Sequence, residues 1–225
     1  MPIPGINPRT SNATTFGTRT LTFLDRDHDH DGSFGGSDTW TFNGLTLDAA
    51  AAGRWIVVGI ATHGGSSPIS LTSCTVNGTA IRNVIEDEFN DGTNVTAALG
   101  LVYLPGGTTA DVVVNLNDGV SDCDVALWSL TGITSYHPVD TATDEDSAIN
   151  VTMDTVDDGV VIAIISSQNL LAPSATWTNI TEVFDASNNG INFTAATAST
   201  SAGTLNFSCA LTGTSDCNVM VAMTL

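Results

Sequence analysis

The sequence predicts an all-β protein: an antiparallel β-sandwich of the jelly-roll type, with two similar β units in tandem. Short runs rich in Val, Ile, Thr, Leu and Phe recur along the chain, with turn residues roughly every 8 to 12 positions. Asn-Gly and Asp-Gly pairs, which tolerate positive φ, separate many of these runs. No segment has sustained helical periodicity, and only residues 48–52 could form a helical turn.

Each apolar or alternating run is taken as one strand, and evenly spaced short strands are typical of sandwiches and jelly rolls. The predicted strands of the first half are 19–24, 39–47, 54–61, 70–76, 79–86, 95–104, 110–116 and 123–131. Those of the second half are 147–153, 159–166, 174–185, 191–198, 203–210 and 217–225. Breaks are expected at Asn43-Gly44, Asn77-Gly78, Asp91-Gly92, Asp118-Gly119, Asp158-Gly159 and Asn189-Gly190.

The two halves of the chain resemble each other. Residues 55–61 parallel residues 160–165, and the clearest echo pairs residues 121–127 with residues 215–221. Such self-similarity predicts a duplicated β unit with its joint near residues 132–147, although two unrelated sandwiches can also converge on similar strand patterns. We therefore predict an extended arm over 1–18, a first β-sandwich unit over 19–135 and a second over 136–225.

The charge balance is strongly acidic and excludes two classes of partner. There are 24 Asp and Glu residues against 5 Lys and Arg, which gives a formal net charge of −19. Binding to nucleic acid needs clustered basic side chains, and an anionic membrane surface would repel this chain. We therefore expect neither nucleic acid nor a membrane as a partner; association with further copies of this chain is expected on the separate ground of the N-terminal arm.

The first eighteen residues lack strand alternation and carry Pro2, Pro4 and Pro8. This composition is typical of an extended arm. We expect such an arm to pack against a neighbouring subunit through Ile3 and Ile6.

Residues 27–38 match the ligand spacing of a calcium-binding loop. Such a loop needs oxygen ligands at positions 1, 3, 5 and 7, Gly at position 6 and a carboxylate at position 12. The predicted calcium ligands are Asp27, Asp29, Asp31, Ser33 and Asp38. A solvated acidic hairpin loop is the alternative. His28 and His30 alternate with these ligands and are expected to point away from the ion, either as exposed loop residues or as a weak transition-metal site.

No catalytic constellation stands out, and we do not expect an enzyme. Acidic clusters at 86–88, 122–124 and 154–158 could supply the paired carboxylates of a glycosidase. Glycosidase sites usually include aromatic sugar platforms, whereas the few Trp and Tyr residues here are spaced as core residues. The four cysteines show no metal-ligand spacing and are expected to be buried thiols.

Several segments resemble small β-rich structural proteins of tailed phages and prophages. In those proteins an Ala-rich turn ending in Arg leads into a buried apolar strand, and a Val-Asn-Gly hairpin follows. A Pro-Gly-Gly-Thr-Thr run then precedes a Val-rich strand. The matching segments are 21–24, 39–45, 50–59, 71–80 and 102–114.

The resemblance implies a virion structural protein that is assembled in the host cytoplasm. A capsid decoration protein, which binds the shell and neighbouring subunits, fits the small size, the arm and the acidic surface. The alternatives are a tail or fibre subunit, or a calcium-assisted carbohydrate-binding module that attaches to host glycans. The calcium-like segment at 27–38 is not part of the family's pattern.

Overall fold

A computed structural model describes residues 19–31, 36–65, 67–90, 94–133, 136–145, 148–168, 174–188, 191–212 and 217–225. Every regular element in these ranges is a β-strand and every strand pair is antiparallel, which confirms the predicted all-β sandwich class. No helix that could span a membrane occurs in the described ranges.

The first half of the chain forms two sheets. Its strands are β1 (Thr20–His30), β2 (Ser37–Thr46), β3 (Trp55–His63), β4 (Leu71–Val76), β5 (Thr79–Ala80), β6 (Arg82–Asn90), β7 (Asn94–Tyr103), β8 (Thr109–Val120) and β9 (Asp122–Thr131). Sheet 1 has the order β2-β8-β4-β5, and sheet 2 has the order β1-β9-β3-β7-β6.

The second half forms two further sheets. Its strands are β10 (Asp140–Asp144), β11 (Ala148–Thr155), β12 (Gly159–Gln168), β13 (Ser174–Thr178), β14 (Thr181–Asn188), β15 (Ile191–Thr200), β16 (Gly203–Thr212) and β17 (Asn218–Thr224). Sheet 3 has the order β10-β17-β12-β15-β14, and sheet 4 has the order β11-β16-β13.

The two halves share one strand order. If β5 is set aside, the eight remaining strands of the first half correspond in sequence order to those of the second half. Sheet 3 then repeats sheet 2, and sheet 4 repeats the β2-β8-β4 part of sheet 1. Within each half, the first strand lies beside the last and the second beside the next-to-last, which is the nested pairing of a jelly roll. No sheet mixes strands from both halves of the described chain.

Three apolar cores stack the sheets in the order 1, 2, 3 and 4. The two outer cores are the first, between sheets 1 and 2, and the third, between sheets 3 and 4. The second core joins the two jelly rolls, because it contains residues of sheet 2, such as Trp128, and of sheet 3, such as Phe193. The central strands β3 and β12 are therefore buried on both faces, which explains their unbroken apolar sequences.

The contacts between sheets 2 and 3 are reciprocal. Edge strand β1 meets β14, since the ring of Phe23 lies 5.3 Å from that of Phe184. The counterpart of β1 is β10, and β10 contacts β6, which is the counterpart of β14. This is the pattern of an isologous dimer interface, here within one chain.

Several sequence predictions are wrong in detail. Strand β1 continues through residues 27–30, which were predicted as part of a loop. Strand β10 was not predicted, and the predicted strand 174–185 is divided at Asn179, which has a positive φ of 63°. Asp118-Gly119 lies inside β8 and is not a break. Residues 48–52 form no helical turn.

The echo between residues 121–127 and 215–221 does not align equivalent positions. Val125 faces the core between sheets 1 and 2, whereas Val219 faces the core between the two jelly rolls. In a strand, an offset of one residue reverses the face to which every side chain points. The duplication is therefore visible in strand order but not residue by residue in this echo.

Arg54 is a buried structural anchor in the first jelly roll. Its side chain is fully buried and donates to the carbonyl oxygens of Asp48, Leu104, Gly106 and Gly107 over 2.5–3.0 Å. It also pairs with the Asp48 carboxylate at 3.0 Å. The Ala-rich turn and the Pro-Gly-Gly turn, which are separate in the sequence, are thereby held together.

Candidate functional site

The predicted calcium ligands do not lie on one continuous loop. Asp27 and Asp29 are exposed on the extended strand β1, and each accepts a hydrogen bond of 2.9 Å from the next backbone amide. Asp31 continues along β9, because its amide donates to the Ser121 carbonyl at 3.1 Å. Asp38 lies on β2 in sheet 1. The assignment of residues 27–30 to a coiled loop is therefore incorrect, since calcium loops of this type wrap around the ion.

Ser33 lies outside the described residues, so calcium binding stays a prediction. Ile3 and Ile6, the predicted contacts of the arm, lie outside them as well. In the described part of the chain, no group of three or more His, Cys, Asp or Glu side chains is already arranged to hold a metal ion.

An aromatic pocket lies where the first jelly roll meets the linker to the second. Trp55 on β3 stacks with Tyr136 of the linker at 5.5 Å and 20° between ring planes. Tyr103 on β7 lies 5.3 Å from Trp55. Tyr103 and Tyr136 are 48% and 37% exposed, so these rings form a surface and not a core. With Arg82 at its rim, the pocket has a volume of about 410 Å³.

A polar site lies at the opposite end of sheet 2 from the aromatic pocket, on the face toward sheet 3. We call it the His–Asp cluster; it comprises Arg26, His28, His30, His63, Asp122 and Asp124. The ladder register sets His30 and His63 on either side of Asp122, and His28 beside Asp124. Side chains directly across adjacent strands lie about 5 Å apart. His30 and His63 therefore both reach the carboxylate of Asp122, which lies between them.

The two carboxylates of the cluster are buried and have different partners. Asp122 is 1% exposed and lies 2.7 Å from His30 Nδ1 and 3.2 Å from His63 Nδ1. Asp124 is fully buried and lies 2.9 Å from His28 Nδ1. Arg26 supports Asp124 with an ion pair of 3.5 Å and also covers the ring of Phe184. Asn188 of β14, in the second jelly roll, reaches Asp124 at 3.4 Å.

The environment changes the pKa values of two members. Burial alone raises the pKa of Asp122, but hydrogen bonds from His63 and His30 outweigh it and hold the pKa below its usual value. Burial lowers the pKa of His28, but the hydrogen bond to Asp124 and the charges of both carboxylates outweigh it and raise the pKa. Both shifts favour the charged forms in the cluster.

Three of the four cysteines are unreactive thiols. All four are buried and form no disulfide. Burial raises the pKa of Cys74 and of Cys209 to about 12, and it raises that of Cys123 strongly. A thiol with such a pKa is not a nucleophile at neutral pH.

Sequence reasoning missed the His–Asp cluster, although a signal for it was present. His28 and His30 alternate with period two, and so do Asp122 and Asp124. In two neighbouring strands, this spacing places each pair on one face. His63 joins them only because β9 lies between β1 and β3, and that neighbourhood is not visible in the sequence.

Comparison of the chain with family models, with curated proteins and with solved structures found no match. The resemblance to tailed-phage proteins therefore stays an expectation based on the residues quoted for it.

Proposed function

We propose that the protein is a structural component of a virion, a capsid decoration protein that binds the shell and neighbouring subunits. The observation that supports this most is the pair of jelly rolls joined through one continuous apolar core. Jelly rolls recur in viral capsid proteins and in lectins, although fold alone does not determine function. A doubled jelly roll presents its two outer sheets to different neighbours.

The segments that resemble phage proteins support the proposal through their structural roles. Residues 50–54 and 104–107 are joined by the buried Arg54, and the Asn77-Gly78 turn closes the hairpin of β4 and β5. These segments stabilise the first jelly roll. Their roles agree with a scaffold that is adapted to different particle surfaces.

The acidic surface and the arm supply the proposed contacts. A formal net charge of −19 keeps copies apart in solution and favours a basic or cation-bridged partner surface. The arm over residues 1–18 would attach to a neighbouring subunit through Ile3 and Ile6. Deletion of residues 1–18, or the pair Ile3→Ser and Ile6→Ser, should abolish binding to the particle while the fold is retained.

The proposal is tested on gradient-purified particles from cells that carry this gene. Quantitative mass spectrometry should detect the protein at a fixed ratio to the major shell protein, and antibody labelling should reach it on intact particles. A protein that is abundant in the lysate but absent from purified particles would contradict the proposal. Detection on isolated tails alone would support the tail-subunit alternative.

The aromatic pocket favours a second candidate function, carbohydrate binding. Exposed Tyr103 and Tyr136 flank Trp55, and aromatic rings bind the apolar faces of sugars while polar groups at the rim give orientation. Trp55 and His63 are the two ends of β3, which separates the pocket from residues 27–30 by about 25 Å. A glycan in this pocket would therefore bind without help from calcium in the 27–38 segment.

Glycan arrays with the fluorescently labelled protein test this candidate. Binding should occur in the presence of a chelator and fall at least tenfold in Tyr103→Ala. Trp177→Ala, which removes an indole from the second jelly roll, is the matched control and should bind as the unmodified protein does. Absence of any array signal would eliminate the candidate without affecting the structural proposal.

A further inference from the structure

We propose that the His–Asp cluster is a binding site for a divalent transition-metal ion of the zinc type. Its ligands would be His28 Nε2, His30, His63 and the carboxylate of Asp122. His28 and His30 lie within the calcium-like segment but alternate with Asp27 and Asp29, so they point to the opposite face of β1 from those two aspartates. The site is independent of the proposed role in a virion.

The scaffold holds the four ligands on one face of sheet 2. Backbone ladders pair His30 with Asp122 and Asp122 with His63, so three ligands form one row across β1, β9 and β3. His28 lies two residues before His30 and therefore on the same face. Ligands on the strands of a sheet are positioned more accurately than ligands on loops.

The spacing of the donor atoms suits a small ion. Asp122 Oδ1 lies 2.7 Å from His30 Nδ1 and 3.8 Å from His28 Nε2. Asp122 Oδ2 lies 3.2 Å from His63 Nδ1. A tetrahedral zinc ion with bonds of about 2.0–2.1 Å separates its ligand atoms by about 3.4 Å, a value that these distances bracket. These side chains are not yet arranged around one point, because they close on one another through hydrogen bonds, which the ion would replace.

The orientation of His28 suits a ligand of a metal ion. Its Nδ1 faces the Asp124 carboxylate at 2.9 Å, and a carboxylate only accepts, so Nδ1 carries a proton. Nε2 lies inside the cluster, 3.8 Å from Asp122 Oδ1, where it is buried and has no hydrogen-bond partner. In neutral His28 this atom carries a lone pair that it can donate to a metal ion. A carboxylate–histidine–metal arrangement would use both ring nitrogens. The Asp124 carboxylate accepts from Nδ1 and fixes the ring, and Nε2 remains available to bind the ion.

The charges of the cluster agree with a divalent cation. Arg26 pairs with Asp124, whereas the cationic partners of Asp122 among the described residues are His28, His30 and His63. A buried carboxylate in such surroundings gains from a metal ion. Three imidazoles and one carboxylate suit zinc, cobalt or nickel, while calcium requires six to eight oxygen ligands. The His30 side chain is 36% exposed and gives the ion a route from solvent.

Binding should be measured on the full-length protein after treatment with a chelator and removal of the chelator. Calorimetry with zinc should give one equivalent per chain, and cobalt should produce a visible d–d spectrum that zinc abolishes. Zinc at 100 times its Kd should also raise the melting temperature, because binding to the folded state alone stabilises it. Calcium in excess should leave the cobalt spectrum unchanged.

Variants identify the ligands. His30→Gln changes a partly exposed ligand and should weaken binding at least tenfold while the fold is kept, and His63→Ala should abolish the cobalt spectrum. His137→Ala removes the one histidine outside the cluster and is the matched control, with binding unchanged. The proposal is overturned if the unmodified protein binds neither ion at micromolar concentration. It is equally overturned if both cluster variants keep full affinity, or if His137→Ala alone loses it.

Discussion

The two jelly rolls share a strand order but differ at one corner. In the first, the corner of sheet 2 that faces sheet 3 holds the His–Asp cluster. In the second, the corresponding positions of β12 and β17 carry the uncharged Ser166, Cys217 and Val219, and Glu145 beside them faces Asp87 of β6 rather than a histidine. Strand order therefore depends on the apolar cores, while the end of a sheet can accept a reactive set of side chains in one copy only.

A second difference concerns how each jelly roll fixes its loops. The first uses the buried Arg54 to join two turns, whereas all five basic residues of the chain precede residue 83. The second holds its loops without a buried arginine: Thr155 Oγ1 donates to the Ser201 carbonyl at 2.7 Å, and the Asp157 carboxylate accepts from the Ala202 amide at 2.9 Å. The copies thus reach one topology by different polar interactions.

The largest effect is expected for Trp128→Ala, which removes a fully buried indole from the core shared by both jelly rolls. We expect a loss of about 3–5 kcal/mol in the free energy of unfolding. Both jelly rolls should unfold in one transition, in urea titrations followed by fluorescence and by circular dichroism. Trp177→Ala, in the core of the second jelly roll alone, is the control and should cost less. Two separate transitions in the unmodified protein would show that the shared core does not couple the copies.

The second-largest loss of stability is expected for Arg54→Met, which keeps the apolar stem and removes the guanidinium. Several carbonyl oxygens lose their donor, at a cost of about 3 kcal/mol in stability. Arg54→Lys should recover only part of this, because an ammonium cannot reproduce the planar set of donors. Chemical denaturation measures both variants. Equal stability of the Lys variant and the unmodified protein would refute the anchor role.

A smaller effect, an increase in stability, is expected from a substitution of Glu86 on the edge strand β6. Burial, together with the charges of Glu88 and Asp87, raises the pKa of Glu86, although a hydrogen bond from the Leu71 amide opposes the shift. A carboxyl group with a raised folded-state pKa destabilises the fold above that pKa, and the penalty disappears as the pH falls below the unfolded value of about 4.3.

Glu86→Gln should therefore raise the melting temperature at pH 7.5, by at most about 2 °C, and leave it unchanged at pH 4. The amide oxygen can still accept from Leu71, so the hydrogen bond is retained. Thermal unfolding at the two pH values measures the difference. A lower melting temperature of the variant at pH 7.5 would mean that the hydrogen bond outweighs the burial and repulsion of the carboxylate.

Most of the fold could be predicted from the sequence because the buried strands are apolar or alternate strictly. Strands such as β3, β7 and β12 end within a few residues of their predicted limits. Strand β10 was missed because Asp140–Asp144 alternates small and polar residues without a large apolar side chain. The end of β1 was missed because its aspartates fit the spacing of a calcium loop, and spacing alone does not distinguish a coiled loop from a strand.

The candidate site could be predicted only in part. Asp122 and Asp124 were noted as a pair, and His28 and His30 as a weak transition-metal alternative, but nothing local connects the two pairs. Their contact depends on β1 lying beside β9, and a non-local strand pairing leaves no mark on either segment. Trp55 and Tyr103 were assigned to the core, since an aromatic residue in a strand is usually buried. Trp55 does pack partly against the second core, whereas Tyr103 is 48% exposed.

The most direct test of the virion proposal is a cryo-electron microscopy reconstruction of the particles that carry this protein. We expect density on the outer surface for two stacked jelly rolls related by an approximate twofold axis, with an extended arm reaching a neighbouring subunit. Complete particles that lack this density, from cells in which the protein is produced, would contradict the account.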